Sequence, residues 1–421
     1  MTLLRTAMLV ALGGISTATL MAGDWARFRG PNGSAVGDSS DIPTTWDDRT
    51  NLAWKTPLPG PGSSSPIVVG DRVFVTCFTG TGSGGSVQQL QRHLICISLA
   101  DGKILWNKAV AAVQPEDRYG GQLTQHGYAT STPTSDGERV YVFYGKTGVL
   151  AYDFSGNELW QTSVGTGSGR MGWGSAASPI LHKNLVLVNA AAESKTVFAL
   201  DKFTGKVVWK SEAPNIYGSW STPVLVDAPD GRTEMVLSAP YEVWGFNPDT
   251  GDFLWYADGV ADETICGSLI AKDGVVYALG GRAGSAVAIR AGGKDDAKEN
   301  VLWKGNVSAY VPSPVLAGDR LFSANDAGLV CLSATDGKRI FQQRLPAGGR
   351  NGIYASPVVV QDKLLITTRR DGVIVVSTRG EGEVLAQNRL DDDSDFNASP
   401  AVADGKLLLR SNRALYCVSA K

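Results

Sequence analysis

One unit keeps returning along this chain. Ser-Pro or Thr-Pro opens an apolar run at Pro66, Pro133, Pro179, Pro223, Pro314, Pro357 and Pro400, and Leu269 in "CGSLIA" takes the same slot. The openings are 67, 46, 44, 46, 45, 43 and 43 residues apart. Each unit then reads as two apolar runs across a short turn, a loop, a third run, a glycine turn and a Trp-bearing strand. A unit of this size cannot bury its hydrophobic faces alone, and a four-stranded meander of about 45 residues is the size of one propeller blade.

A second series counts the blades independently. The final strands carry Trp106, Trp160, Trp209, Trp255 and Trp303, then Phe341 and Ala386. The eighth unit, "SPAVADGKLLLRSNRALYCVSAK", ends after three strands, whereas "NLAWKTPL" with Trp54 is a Trp strand without a unit. Joining the two closes a ring and removes two open edges. The sequence therefore predicts an all-β, eight-bladed propeller over residues 51–421, made of four-stranded antiparallel blades and closed by an N-terminal strand that completes the last one. Residues 23–50 form an extension packed on it.

Composition agrees with a turn-rich β protein: 50 glycines in 421 residues are about 12% where about 7% is usual. A formal net charge of −2 offers no basic field to a nucleic-acid backbone. The start, with Arg5 before an apolar stretch from about Ala7 to Ile15 and small residues at Ala18 and Ala22, predicts a signal peptide over residues 1–22 and export to the periplasm or beyond. Cleavage falls after Ala18 or Ala22. The first cysteine is Cys77, so a lipid anchor next to the apolar run is not expected, and neither is a membrane span in the mature chain.

The repeated glycine and Trp raise a choice between a cofactor box and an architectural contact. A ligand cannot fill equivalent outer slots all around one axis. We read Trp54, Trp106, Trp160, Trp209, Trp255 and Trp303 as interblade staples, each docking a large flat ring against the next blade.

These in-phase units resemble the repeats of the pyrroloquinoline-quinone (PQQ) propeller superfamily, which includes quinoprotein alcohol dehydrogenases and BamB-like proteins; the resemblance covers roughly residues 50–421. It implies the fold, and it leaves activity open because the superfamily holds both quinone enzymes and scaffolds. The dehydrogenases resemble one another in an adjacent Cys-Cys pair and a calcium site. This chain has no adjacent cysteines and no Cys-x-x-Cys-His, so no cofactor is expected, with PQQ as the alternative. The segment "DWARFRGPNGSAV" resembles openings of other secreted propellers; Trp25 and Phe28 can pack on the ring, with recognition by Arg27 and Arg29 as the rival reading.

Other chemistry is sparse. Five cysteines imply no disulfide framework; Cys96, Cys331 and Cys417 share a small-residue slot with Ala199, Gly245 and Val376, while Cys77 and Cys96 lie on successive strands where one disulfide is an open possibility. His93, His126 and His182 have no spacing typical of a metal site. The glycine-rich runs at Gly80 and Gly165 and the "GKT" at Gly145 are read as turns. Asp391 to Asp393 with Asp395 are read as a solvated loop, with a cation or sugar-hydroxyl site as alternative.

Loop lengths are unequal on the two faces. The face of the interblade links holds residues 79–92, "QPEDRYGGQLTQHGYAT", "GTGSGRMGWGSA", "NIYGSW" and "GGRNGIYA", and the other face holds one insertion, "GGKDDAKEN". The reading is a non-catalytic, monomeric binding or scaffold propeller whose elaborated face holds an envelope protein or a glycan. Its binding residues are Tyr128, Arg170, Trp173, Tyr217, Trp220, Tyr310, Arg350 and Tyr354, aromatic and basic groups just ahead of the strand openings. The alternatives are a PQQ-dependent oxidoreductase and a carbohydrate-active enzyme using carboxylates such as Glu263 and Asp393.

Overall fold

The computed structural model describes residues 23–37, 41–81, 86–346 and 352–420. Eight sheets stand around one axis, each with four antiparallel strands in meander order, to which the fourth blade adds a fifth, parallel strand. Blade 1 comprises Ile67–Val69, Arg72–Thr79, Gln91–Ser98 and Ile104–Ala111, and blades 2 to 8 begin at Thr134, Ile180, Val224, Ile270, Val315, Val358 and Ala401. In blade 8 the outermost strand is Leu52–Pro57, antiparallel to Ala414–Val418 with Trp54 opposite Cys417. Middle strands are apolar on both sides because they are covered by a blade on each face: Val73 to Phe78 and Leu364 to Thr367 are all buried.

The outermost strand of every blade slips register at the aromatic slot, as between Ala199 and Leu200 opposite Trp209 and between Cys96 and Ile97 opposite Trp106. A bulge at this point turns Trp inward and leaves its predecessor outside. That is why Leu105, Leu159, Val208 and Leu302 are exposed although apolar. The bulge also breaks the edge that would otherwise invite another strand.

Inward, the ring meets a small partner: Cys96, Ala151, Ala199, Gly245, Ala288 and Cys417 oppose the tryptophans. Blade 7 inverts the volumes, with Val375 opposite Ala386. Counting back from the turn glycine puts Val376 in this slot, but the blade 7 turn is one residue longer.

Each indole then reaches the next blade. Trp54, Trp106, Trp160, Trp209 and Trp303 donate Nε1–H to the carbonyls of Leu99, Phe154, Lys202, Pro248 and Ala334, at 2.8 to 3.1 Å. The glycines of those same turns lie flat on the rings: a Cβ on Gly102, Gly205 or Gly251 would sit 2.4 to 2.7 Å from Trp54, Trp160 or Trp209. Trp255 differs. Its Nε1–H goes to buried Glu234 at 2.8 Å, and "GGKDDAKEN" folds over it, with Asp295–Asp296 adding a short parallel strand beside it.

Candidate functional site

The innermost strands leave a channel along the axis, and the residue ahead of each opening Pro carries a hydroxyl. Ser65 N–H donates to Thr132 Oγ1, Thr132 to Ser178, Ser178 to Thr222, Thr222 to Ser268, Ser268 to Ser313, Ser313 to Ser356 and Ser356 to Ser399, every link at 2.9 Å. The backbone of one blade is thus tied to the side chain of the next around the axis. Since each oxygen accepts, its own proton is left to donate elsewhere.

Below this belt the channel is floored by the segment outside the repeats. Trp25 pairs with Val68 by two backbone bonds. Arg27 Nη2 donates to Pro223 O at 3.0 Å, and Arg29 donates to the carbonyls of Leu269 and Pro314. Asn32 makes a two-way amide contact with Leu225. The three carbonyls that the arginines reach belong to the residues just after belt hydroxyls. Phe28, between the arginines, points into the cavity above. Burial pushes the Arg29 guanidinium down to about 9, helped by the charge of Arg27, and burial pushes Arg27 down to about 10. Arg29 is 1% exposed, so it is part of the floor and does not present a recognition surface.

Above the belt, interblade links form a mouth. Residues 114–130 cross it, carrying the short helix Leu123–His126. Arg369 Nη1 donates to Gln125 Oε1 at 3.0 Å, Asn397 Nδ2 to Gln125 O at 2.7 Å, and Gln122 Nε2 to Tyr354 Oη at 3.4 Å. A loop after blade 1 is thereby tied to blades 7 and 8. On the other side Trp173 stacks on Trp220, with centroids 5.0 Å apart and planes at 29°, and Trp220 Nε1 donates to Gly174 O. The loop bearing Trp173 is fastened at its ends: Gly167 and Gly169 donate to the carbonyls of Glu193 and Ala192, and Ser175 Oγ donates to Glu193. Burial raises the Glu193 carboxyl to about 7, opposed by the Ser175 bond and reinforced by Glu116 and Asp117.

Between floor and mouth lies a cavity of about 120 Å³ lined by Phe28, the belt apart from Thr132, Gln122, His126, Trp173, Trp220, Tyr354 and Asn397. Its lining carries no Asp, Glu, Lys or Arg. Burial pushes the His126 imidazole down to about 4, so it too is neutral at physiological pH.

Of the predicted binding residues, Trp173, Trp220 and Tyr354 meet at this cavity. Arg170 lies outside it, exposed and paired with Glu263 at 3.5 Å. Tyr310 lies under the Arg282 guanidinium, 4.2 Å from its centroid. Tyr217 is half-buried after the turn Pro214–Ile216. Tyr128 is turned away: it packs edge-on against Phe78 and donates to Asp117 O, 7% exposed within a buried aromatic cluster. Arg350 lies outside the described residues, as does the predicted signal peptide.

The disulfide is excluded by register. Cys96 opposes Phe74 and Cys77 opposes His93, so the two thiols point to opposite faces of blade 1, and both are free. Three of the four acidic side chains are consumed internally: Asp392 accepts from Ser394, Ser411 and Tyr416, Asp393 pairs with Arg413, and Asp395 with Arg369 and Arg370. Among the described residues no group of three His, Cys, Asp or Glu side chains is placed to hold a metal. Lys146 of "GKT" reaches Asp117 and Ser168, as a turn residue does.

The belt, Gln122, Gln125 and Asn397 are absent from the sequence-based site. The hydroxyls were visible as the Ser or Thr of every Ser-Pro, a signal read as strand punctuation. Gln122 and Gln125, which bridge the mouth, have no repeat phase to reveal them, whereas Asn397 stands three positions before its opening Pro as Trp220 and Tyr354 do.

Eight four-stranded blades around an axial channel, with indoles docked on neighbouring glycine turns, define an eight-bladed β-propeller. The family model described as outer membrane protein assembly factor BamB matches residues 34–171 and 91–343, and the chain belongs to that family. Among solved structures it is similar to BamB from Moraxella catarrhalis, at 15% identity and TM-score 0.64, covering 88% of this chain and 97% of that one. A europium-containing methanol dehydrogenase gives 14% identity and TM-score 0.69, covering 92% and 89%. The computationally designed Ika8 protein gives 12% and 0.59, covering 88% and 99%. No curated protein sequence matches the chain. At these identities the structural likenesses establish the fold.

The superfamily implies PQQ as a possible group, and the cavity does not fit it. PQQ is a fused three-ring tricarboxylate. The cavity is well below the roughly 300–1,000 Å³ usual for ligand pockets and presents no cationic side chain to three carboxylates.

Proposed function

We propose that this protein is an extracytoplasmic, non-catalytic propeller that holds an envelope protein or a glycan at the mouth of its channel. The observation carrying this reading is the chemistry of that mouth: Gln122, Trp173, Trp220 and Tyr354, from four separate links between blades, converge on one neutral polar cavity. Aromatic groups beside unionised donors make contact area with little desolvation cost, the composition of a binding centre. The paired carboxylates of a glycosidase have no counterpart there, since Glu263 and Asp393 stand on different links, each in an ion pair with arginine. Export rests on the N-terminal sequence and on family membership. Among the described residues no helix is long and apolar enough to cross a membrane.

The test is retention of envelope-extract components on immobilised wild type and on Trp173→Ala. A component held by the wild type and released by the variant, with melting unchanged, supports the reading. Equal retention by both moves the binding surface away from the mouth.

A further inference from the structure

We propose that the channel mouth takes one uncharged sugar ring, stacked on Trp173 with its oxygens facing the hydroxyl belt; this rests on the binding reading above. Three observations carry it. First, the belt is a ring of donors. Ser178, Thr222, Ser268, Ser313, Ser356 and Ser399 line the cavity, and each accepts a backbone N–H from the preceding blade. Among the described residues none of them gives its own proton to a protein acceptor. All six are buried, at 6% exposure or less. Buried hydroxyl protons need acceptors, and the cavity is where those can come from.

Second, the guest must be neutral. With no charged side chain in the lining and His126 unprotonated, a carboxylate or ammonium entering the cavity would lose its hydration without gaining a counter-charge. A sugar ring carries many acceptor oxygens and no charge. Third, size limits the guest: a cavity of about 120 Å³, about four waters' worth of volume, receives only the oxygen-bearing edge of one ring, so the rest of that ring lies on Trp173 and further units stay outside among the links. Trp173 is held by its stack on Trp220 and by the loop fastened to Glu193, and it supplies the flat apolar platform that the C–H face of a sugar covers.

The test titrates the full mature protein with N,N′-diacetylchitobiose, maltose and glucuronate, following tryptophan fluorescence and calorimetric heat. Saturable binding of a neutral sugar is expected, with glucuronate at least about tenfold weaker. Trp173→Ala should weaken the neutral sugar about tenfold or more and Trp173→Tyr should restore most of it, both with wild-type melting. Absence of saturable binding by every sugar overturns the proposal and leaves a water-filled channel. Equal or tighter binding of glucuronate overturns the neutral chemistry. Either result, combined with a retained component that Trp173→Ala releases, sinks the sugar alone and spares the mouth as a protein-binding site; loss of both effects sinks the two together.

Discussion

Tryptophan does different work at the rim of this molecule and at its mouth. At the rim every indole sits at the same point of a repeat, bulged inward, opposite a small residue and under the next blade's turn glycine. At the mouth Trp173 and Trp220 have no Trp at the equivalent place in other blades, stack on each other and line the cavity. Trp209 is 8% exposed with its N–H on a neighbouring blade, and Trp220 is equally buried with its N–H on a loop carbonyl. Exposure therefore does not separate the two populations; repetition does. A ring that recurs in phase is solving a problem every blade shares, and a ring that occurs out of phase is answering something outside the fold.

The largest effect that would break this contrast comes from removing residues 51–58. Without that strand blade 8 loses its indole and two edges open, so size-exclusion chromatography should show unfolded or oligomeric protein. A monomer with unchanged melting would mean that ring closure does not depend on it. Trp255→Ala should cost about 3–5 kcal/mol in denaturant titration, since the ring is fully buried and both Glu234 and the covering insertion lose their contact. A loss under about 0.5 kcal/mol would place this rim Trp among ordinary surface residues.

Next in size is a pH effect at the mouth. Glu193 has its carboxyl raised from 4.5 to about 7, so between those values the folded protein binds the extra proton. Stability then falls as pH rises through this window and levels off above it, by about 2–3 kcal/mol in all. Glu193→Gln should flatten that slope, read from denaturation midpoints at pH 5 and pH 8. An unchanged slope would assign the pH dependence elsewhere.

Gly205→Ala puts a methyl 2.6 Å from the Trp160 ring at a positive φ of 70° and should cost about 1–3 kcal/mol; no loss would show that the turn glycine is not fitted to the indole. Smallest in stability is Trp173→Ala, below about 1 kcal/mol, while binding weakens by roughly 1–3 kcal/mol. Should it instead melt several kcal/mol earlier with binding intact, mouth and rim are the same kind of structure.

The rim was legible because periodic constraint writes itself into sequence many times. The Ser-Pro openings, the Gly turns and the Trp series locate all eight blades, and the unpaired "NLAWKTPL" finds its place by elimination. The slip at Val376 shows the method's grain, since one added turn residue shifts a slot that spacing alone cannot resolve. The mouth was only partly legible. Trp173, Trp220 and Tyr354 were found by residue type, but Tyr128, of the same type and place, faces inward onto Phe78 because strand ends and loop starts look alike in sequence. Gln125 and Asn397 meet across the channel although 272 positions separate the bonded pair, a coincidence no local pattern encodes. Nor does "RFRGP" state which of its side chains points up the axis.

The belt also has a direction. In seven links a backbone N–H gives to the hydroxyl of the following blade, as five of the indoles give to the following turn, so most blades carry a donating half on one side and an accepting half on the other. A stretch of gene copied from one Ser-Pro to the next would thus bring a complete cassette, able to receive from its left and give to its right without any compensating change.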